Sequence, residues 1–174
     1  MEPNYAFTYV IGYRHNLERL QNLRRVLDWI NGFAKVEVLL VEQDTHSKIS
    51  HLDLKAKHIF TRSDMPYNRS WAFNVALKYA NSNIIVFGDS DLIMDPNQFI
   101  AALTAMSQYE MVNPYHTVID FTAYFRMRTD GRSTINLRAH FHLRMFTKSK
   151  RTANHRAFHH FRITRDIDLC VASI

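Results

Sequence analysis

The chain has 174 residues, 47% of them hydrophobic, and carries 22 Lys/Arg against 16 Asp/Glu for a net charge of +6. That is enough apolar material for one domain, or one domain with an appendage, and it argues against wholesale disorder. Cys170 is the only cysteine, which excludes an internal disulfide and suits a reducing compartment, and no apolar run approaches the ~20 residues of a membrane span. The start Met1-Glu2-Pro3-Asn4 has no basic stretch followed by an apolar one, so no signal peptide is expected and the cytoplasm is the expected setting.

In chain order, Ala6 to Ile11 is short, β-branched and aromatic, and reads as a buried strand. Gly12-Tyr13-Arg14-His15 follows, with Asn16 placed as a helix N-cap. Leu17, Leu20, Leu23, Leu27 and Ile30 recur at helical spacing, and Asn31-Gly32 closes that helix. Val36 to Val41 predicts a second strand with Glu42-Gln43-Asp44 at its end, and His58 to Thr61 a short third. After Pro66, Ser70 to Ala80 predicts a second helix with Trp71, Val75 and Tyr79 on its apolar stripe, widened by Phe73 and Leu77. Trp71 and Phe73 are read as core residues. Asn83 to Gly88 predicts the central strand, and Asp95-Pro96 caps and opens a helix to about Ser107. This alternation is that of an α/β unit with a mostly parallel sheet.

The central strand ends abruptly in Asp89-Ser90-Asp91. An unpaired charge buried in a strand costs several kcal/mol or more, so the two acids belong where the strand leaves the sheet. Open α/β sheets bind ligands at that rim, and carboxylates held there suit a hard divalent cation and, through it, a phosphate. A plain Asp-Ser turn leading to a helix cap is the alternative.

Beyond Pro114 the pattern weakens. Val118 to Phe125 reads as a strand, but after Arg126 Arg and His interrupt every apolar cluster. Residues 1–125 hold 11 Lys/Arg and 13 Asp/Glu, a net of −2, whereas residues 126–174 hold 11 and 3, a net of +8. His140, His142, His155, His159 and His160 also lie in this basic tail.

Four segments in order resemble the nucleotide-sugar-binding half of glycosyltransferases with the GT-A fold, nearest to the β-1,4-galactosyltransferase group and its bacterial family-2-like relatives. They are Ile11-Gly12-Tyr13-Arg14-His15-Asn16-Leu17-Glu18-Arg19-Leu20, Leu39-Leu40-Val41-Glu42-Gln43, Tyr67-Asn68-Arg69-Ser70-Trp71-Ala72-Phe73-Asn74-Val75-Ala76, and Val86-Phe87-Gly88-Asp89-Ser90-Asp91-Leu92-Ile93. The resemblance spans roughly residues 5–115. It implies a Rossmann-like GT-A fold, a mostly parallel sheet flanked by helices, with residues 1–115 as a nucleotide-sugar-binding domain. Residues 116–174 would then form an irregular, basic, atypical or truncated acceptor-side segment.

The resemblance also implies roles. Asp91 is the expected ligand of Mn2+ or Mg2+, with Asp89 as its partner near the ribose. A metal there bridges the diphosphate of a nucleotide-sugar donor, by this likeness a UDP-sugar, and stabilises charge on the leaving nucleotide. Tyr13 and Arg14 match the turn that contacts the nucleotide, a flat ring for base or ribose and a guanidinium for phosphate. Glu42 or Asp44 is placed to accept a hydrogen bond from the base, and Tyr67 and Arg69 match a second nucleotide-contacting run. Gly12 stands where the family commonly has Pro.

The family's Gly-Trp-Gly-x-Glu-Asp type motif, which supplies acceptor contacts and the catalytic base, has no counterpart here. The only tryptophans are Trp29 and Trp71, and no Glu follows Glu110. The catalytic base is therefore unassigned. His155 and His159 have the i, i+4 spacing of metal ligands but no convincing helix. Three functions follow: a metal-dependent glycosyltransferase acting on a glycan or other hydroxyl acceptor, a donor-binding remnant without transfer, or a polyanion binder using the basic tail. No nucleic-acid-binding motif accompanies the last.

Overall fold

The structure, a computed structural model, describes residues 5–115, 117–120, 144–147 and 170–173. In chain order these form β1 (Phe7–Tyr13), α1 (Leu17–Ile30), β2 (Val36–Asp44), β3 (Lys57–Arg62), α2 (Arg69–Leu77) and β4 (Ile84–Gly88). Then come β5 (Leu92–Ile93), α3 (Pro96–Ala105), β6 (Met111–Val112), β7 (Thr117–Asp120), β8 (Arg144–Thr147) and β9 (Cys170–Ser173). The main sheet has the order β3-β2-β1-β4-β8-β6. Its first four strands are parallel, β8 runs antiparallel to β4 (Ile84↔Thr147 through Phe87↔Arg144), and β6 antiparallel to β8. A smaller sheet joins β5, β9 and β7.

All seven residues of β1 are buried, as expected for a central parallel strand covered on both faces. Its alternate side chains divide between two cores. Phe7, Tyr9, Ile11 and Tyr13 join Leu23, Val26, Leu27 and Ile30 of α1 and Phe99 of α3. Val10 faces the other way, toward Ala72 and Ala76 of α2 and Val41 and Phe87 of the neighbouring strands. Phe99 anchors the first core, with ring centroids 5.2 Å from Trp29, 4.8 Å from Phe33 and 5.5 Å from Phe7. On the opposite face Phe73 stacks on Phe87 at 4.3 Å with planes 7° apart.

Helix starts follow their caps. The Asn16 side chain accepts from the Glu18 N–H, Asn68 from the Trp71 N–H, and Asp95 from both Asn97 and Gln98. At the amino end of the sheet Glu37, nearly buried, accepts from the Thr8 hydroxyl at 2.6 Å and the Asn81 N–H at 2.8 Å, tying β1 and β2 to the entry of β4.

Several expectations need correction. Leu17 is 76% exposed, and Val26 takes the buried place in the α1 stripe because it follows Leu23 by three residues. On α2 the buried face is Ala72 and Ala76, while Trp71 is 39% exposed and Tyr79, past the end of the helix, 45%. Ala72 and Ala76, with the inward ring of Phe73, fill the face that meets the sheet and leave Trp71 and Tyr79 outside it. The second strand extends through Glu42, Gln43 and Asp44 rather than ending before them. The strand expected over 118–125 is present as Thr117–Asp120, and residues 121–125 lie outside the described residues. Among the described residues no helix is long and apolar enough to cross a membrane.

Candidate functional site

The carboxyl ends of β1, β2, β3 and β4 share one rim because these strands are parallel. β2 and β3 lie on one side of β1 and β4 on the other, so the chain changes direction across the sheet at β1/β4. Open α/β sheets form a ligand crevice at such a point. Asp89-Ser90-Asp91 leaves β4 there, in the turn before β5, with both carboxylates half-buried.

Arg69, the first residue of α2, points its guanidinium across the rim. Its Nη2 donates to Asp89 Oδ2 at 2.6 Å, joining two residues twenty apart in the chain. Arg14, just past β1, donates from Nη1 to the Met65 carbonyl oxygen at 2.7 Å, fastening the 63–68 loop to the end of the central strand. Tyr67, half-buried, lies directly over Gly12, where an added Cβ would overlap its hydroxyl. A strand glycine often marks such a close approach. Burial, and then the nearby charge of Asp89, push the Tyr67 phenol up to about 12, against the opposing pull of Arg69 and Arg19.

The other expected site residues are placed differently. Tyr13 is buried in the first core, its hydroxyl 3.2 Å from His15 Nδ1, and burial raises its phenol above the ordinary value. Its ring faces therefore belong to the protein interior. Glu42 is fully buried and its carboxylate holds the following loop: it accepts from the Ser47 hydroxyl at 2.6 Å and the Lys48 N–H at 2.7 Å, and lies 2.9 Å from His58 Nε2. Asp44 stands nearer the rim and accepts from the Thr45 N–H at 2.8 Å. Burial works to raise its carboxyl, but backbone N–H groups of Thr45 and His15, with the charges of Arg14 and Lys48, hold it below the usual value. The two acids at this strand end thus differ: Glu42 organises the protein, and Asp44 is coupled to Arg14.

Beside Arg69 an open cleft of about 630 Å³ is lined by polar Gln43, Arg62, Ser63 and Asn68 and by apolar Met65, Pro66, Tyr67 and Trp71. Trp71, expected in the core, is a wall of this cleft. Sequence reasoning also missed Gln43 and Arg62. Gln43 sits in a strand end where its neighbours Glu42 and Asp44 drew attention as acids, and Arg62 had no motif around it.

Among the described residues no group of three His, Cys, Asp or Glu side chains is gathered to hold a metal ion. His155 and His159 lie outside the described residues. Two hard carboxylates at a rim nevertheless fit a divalent cation of the Mg2+ type, which typically takes one or two carboxylates and completes its shell with water and substrate phosphates. Asp89 and Asp91 are the two carboxylates that stand at this rim.

Residues 18–168 match the family model for glycosyl transferase family 2, a span that begins within the first of the four segments and continues past the last. No curated protein sequence matches the chain. Among solved structures, the chain is similar to a CMP:2-keto-3-deoxy-manno-octonic acid synthetase complexed with CTP. There the TM-score is 0.53 at 14% identity, over 81% of this chain and 73% of that one. It is similarly close to 4-diphosphocytidyl-2C-methyl-D-erythritol synthase from Anaerococcus prevotii, with TM-score 0.52 at 12% identity over 98% and 90%. At these identities the likeness shows the α/β fold. A mannosyltransferase from Pyrobaculum calidifontis, in complex with GDP-Man and Mn2+, aligns with TM-score 0.49 at 16% identity over 84% of this chain. The chain spans less than half of that protein, 46% of its length.

Proposed function

Because the chain belongs to glycosyltransferase family 2, we propose that its rim binds a nucleotide-diphosphate sugar together with a divalent metal and presents the sugar for transfer to a hydroxyl acceptor. The observation that carries this reading is the convergence of Arg14, Tyr67, Arg69 and Asp89-Ser90-Asp91 on the carboxyl ends of β1 and β4.

Asp91 and Asp89 would hold Mn2+ or Mg2+. Bound there, the ion supplies Lewis-acid stabilisation for the diphosphate as it leaves the sugar. Arg69 carries a positive charge to the same edge, suited to a phosphate oxygen, and its 2.6 Å ion pair orients Asp89. Asp44 is the better of the two strand-end acids for a base or ribose contact, since Glu42 already holds the following loop. Tyr67 and Trp71 offer aromatic surface for the nucleoside in the cleft.

UDP is the nucleotide the sequence likeness favours, and a cytoplasmic setting suits a chain with one cysteine. Residues 1–115 form the donor unit in this reading, and residues 116–174 the acceptor side. The antiparallel pairing of β8 with β4 brings part of that second segment directly against the motif-bearing strand.

Purified protein incubated with a panel of UDP- and GDP-sugars, Mn2+ and hydroxyl acceptors should transfer the sugar to an acceptor or to water and release nucleoside diphosphate, and Asp91→Asn should slow release by about tenfold or more. Binding without release would select the donor-binding reading over the transferase. Neither binding nor release from any donor would refute both.

A further inference from the structure

We propose that Gln43 is a positioning residue for donor recognition, fixing the place of Tyr67 and Arg69 by holding the backbone of Asn68. This role rests on the reading of the rim as a donor site. Gln43 is only 1% exposed, and its Oε1 accepts from the Asn68 N–H at 2.6 Å, a short contact for a neutral pair. Its Nε2 lies 3.5 Å from the Asn68 carbonyl oxygen, a marginal bond at best. The useful element is therefore one acceptor oxygen on a stem of fixed length.

Asn68 is the hinge of the site. Its side chain caps α2 by accepting from the Trp71 N–H at 2.9 Å, and its carbonyl accepts from the Ala72 N–H at 3.1 Å. Tyr67 precedes it and lies over Gly12, while Arg69 follows it and reaches Asp89. One hydrogen bond from the sheet thus sets the register of a nucleotide-facing ring on one side and a charge on the other.

The Asn68 N–H that Gln43 accepts from is part-buried, so removing Gln43 costs stability as well as position. Beyond that stability, the bond fixes the location of the loop relative to β2.

Three proteins test this: wild type, Gln43→Met, which keeps the stem and loses the acceptor, and Gln43→Glu, which keeps an acceptor oxygen. Amide hydrogen exchange at Asn68 and Trp71 is read alongside calorimetric affinity for UDP with Mn2+. Gln43→Met should exchange faster at both amides and bind UDP about tenfold more weakly, the equivalent of one hydrogen bond. Gln43→Glu, whose carboxylate can still accept from the Asn68 N–H, should recover the slow exchange. Unchanged exchange in Gln43→Met overturns the bracing contact outright. Faster exchange in Gln43→Met with unchanged UDP affinity overturns the positioning role. Wild-type protein that binds neither UDP nor GDP with Mn2+ overturns the donor reading and this role with it, whereas the other outcomes leave the donor reading standing.

Discussion

The crossing of Tyr67 over Gly12 is the contact that seats the loop at the rim, and it can be tested by adding a single carbon. A Cβ at Gly12 would overlap the Tyr67 hydroxyl, with Tyr67 Cζ and Ala72 Cβ next at 3.3 Å each. Overpacking of this kind costs about 1–3 kcal/mol, which for a chain of this size lowers Tm by about 2–4 °C per kcal/mol. The hydroxyl is the offending atom, and without it the remaining 3.3 Å contacts need only small adjustment. Gly12→Ala should therefore destabilise the wild type by about 1–3 kcal/mol, but a Tyr67→Phe background by no more than about 0.5 kcal/mol. Urea unfolding of the four proteins in the cycle measures the difference. Equal losses in the two backgrounds would refute the claim that Tyr67 occupies the space above Gly12.

Asp95→Ala removes the side chain that accepts from Asn97 and Gln98 at the start of α3, and should cost about 1 kcal/mol with a matching fall in the urea midpoint. Alkaline stability follows from Tyr67. Its phenol is raised to about 12 in the folded chain, so between pH ~10 and ~12 the unfolded chain loses this proton first and stability falls as pH rises. Thermal melts across that window should show a shallower decline for Tyr67→Phe than for wild type, and parallel curves would contradict the burial assigned to that ring.

The parallel sheet was legible because its strands are short and apolar on both faces, as in Ala6 to Ile11 and Ile84 to Phe87, and because Asn16, Asn68 and Asp95 announce their helices chemically. The rim placement of Asp89 and Asp91 was also legible, since a charge cannot remain inside such a strand. Less visible was what the rim residues do to one another. Glu42 and Asp44 look alike in a sequence, yet loop residues that fold back onto Glu42 remove it from the surface and leave Asp44 beside Arg14. Trp71 misled because hydrophobicity argues for burial, while the face of α2 turned to the sheet is taken by Ala72, Ala76 and the ring of Phe73, which leaves Trp71 on the outer side. Gly12 was read as part of a turn, and only its proximity to Tyr67, fifty-five positions later, explains why no side chain stands there.

The most direct measurement of the donor site is calorimetric titration of UDP into the protein with and without Mn2+, repeated for Asp91→Ala. Binding by the wild type that depends on Mn2+ and is lost in Asp91→Ala is the expected result. Absence of binding by UDP and GDP alike, or UDP binding that is indifferent to both the metal and Asp91, would contradict a metal-diphosphate site at the end of β4.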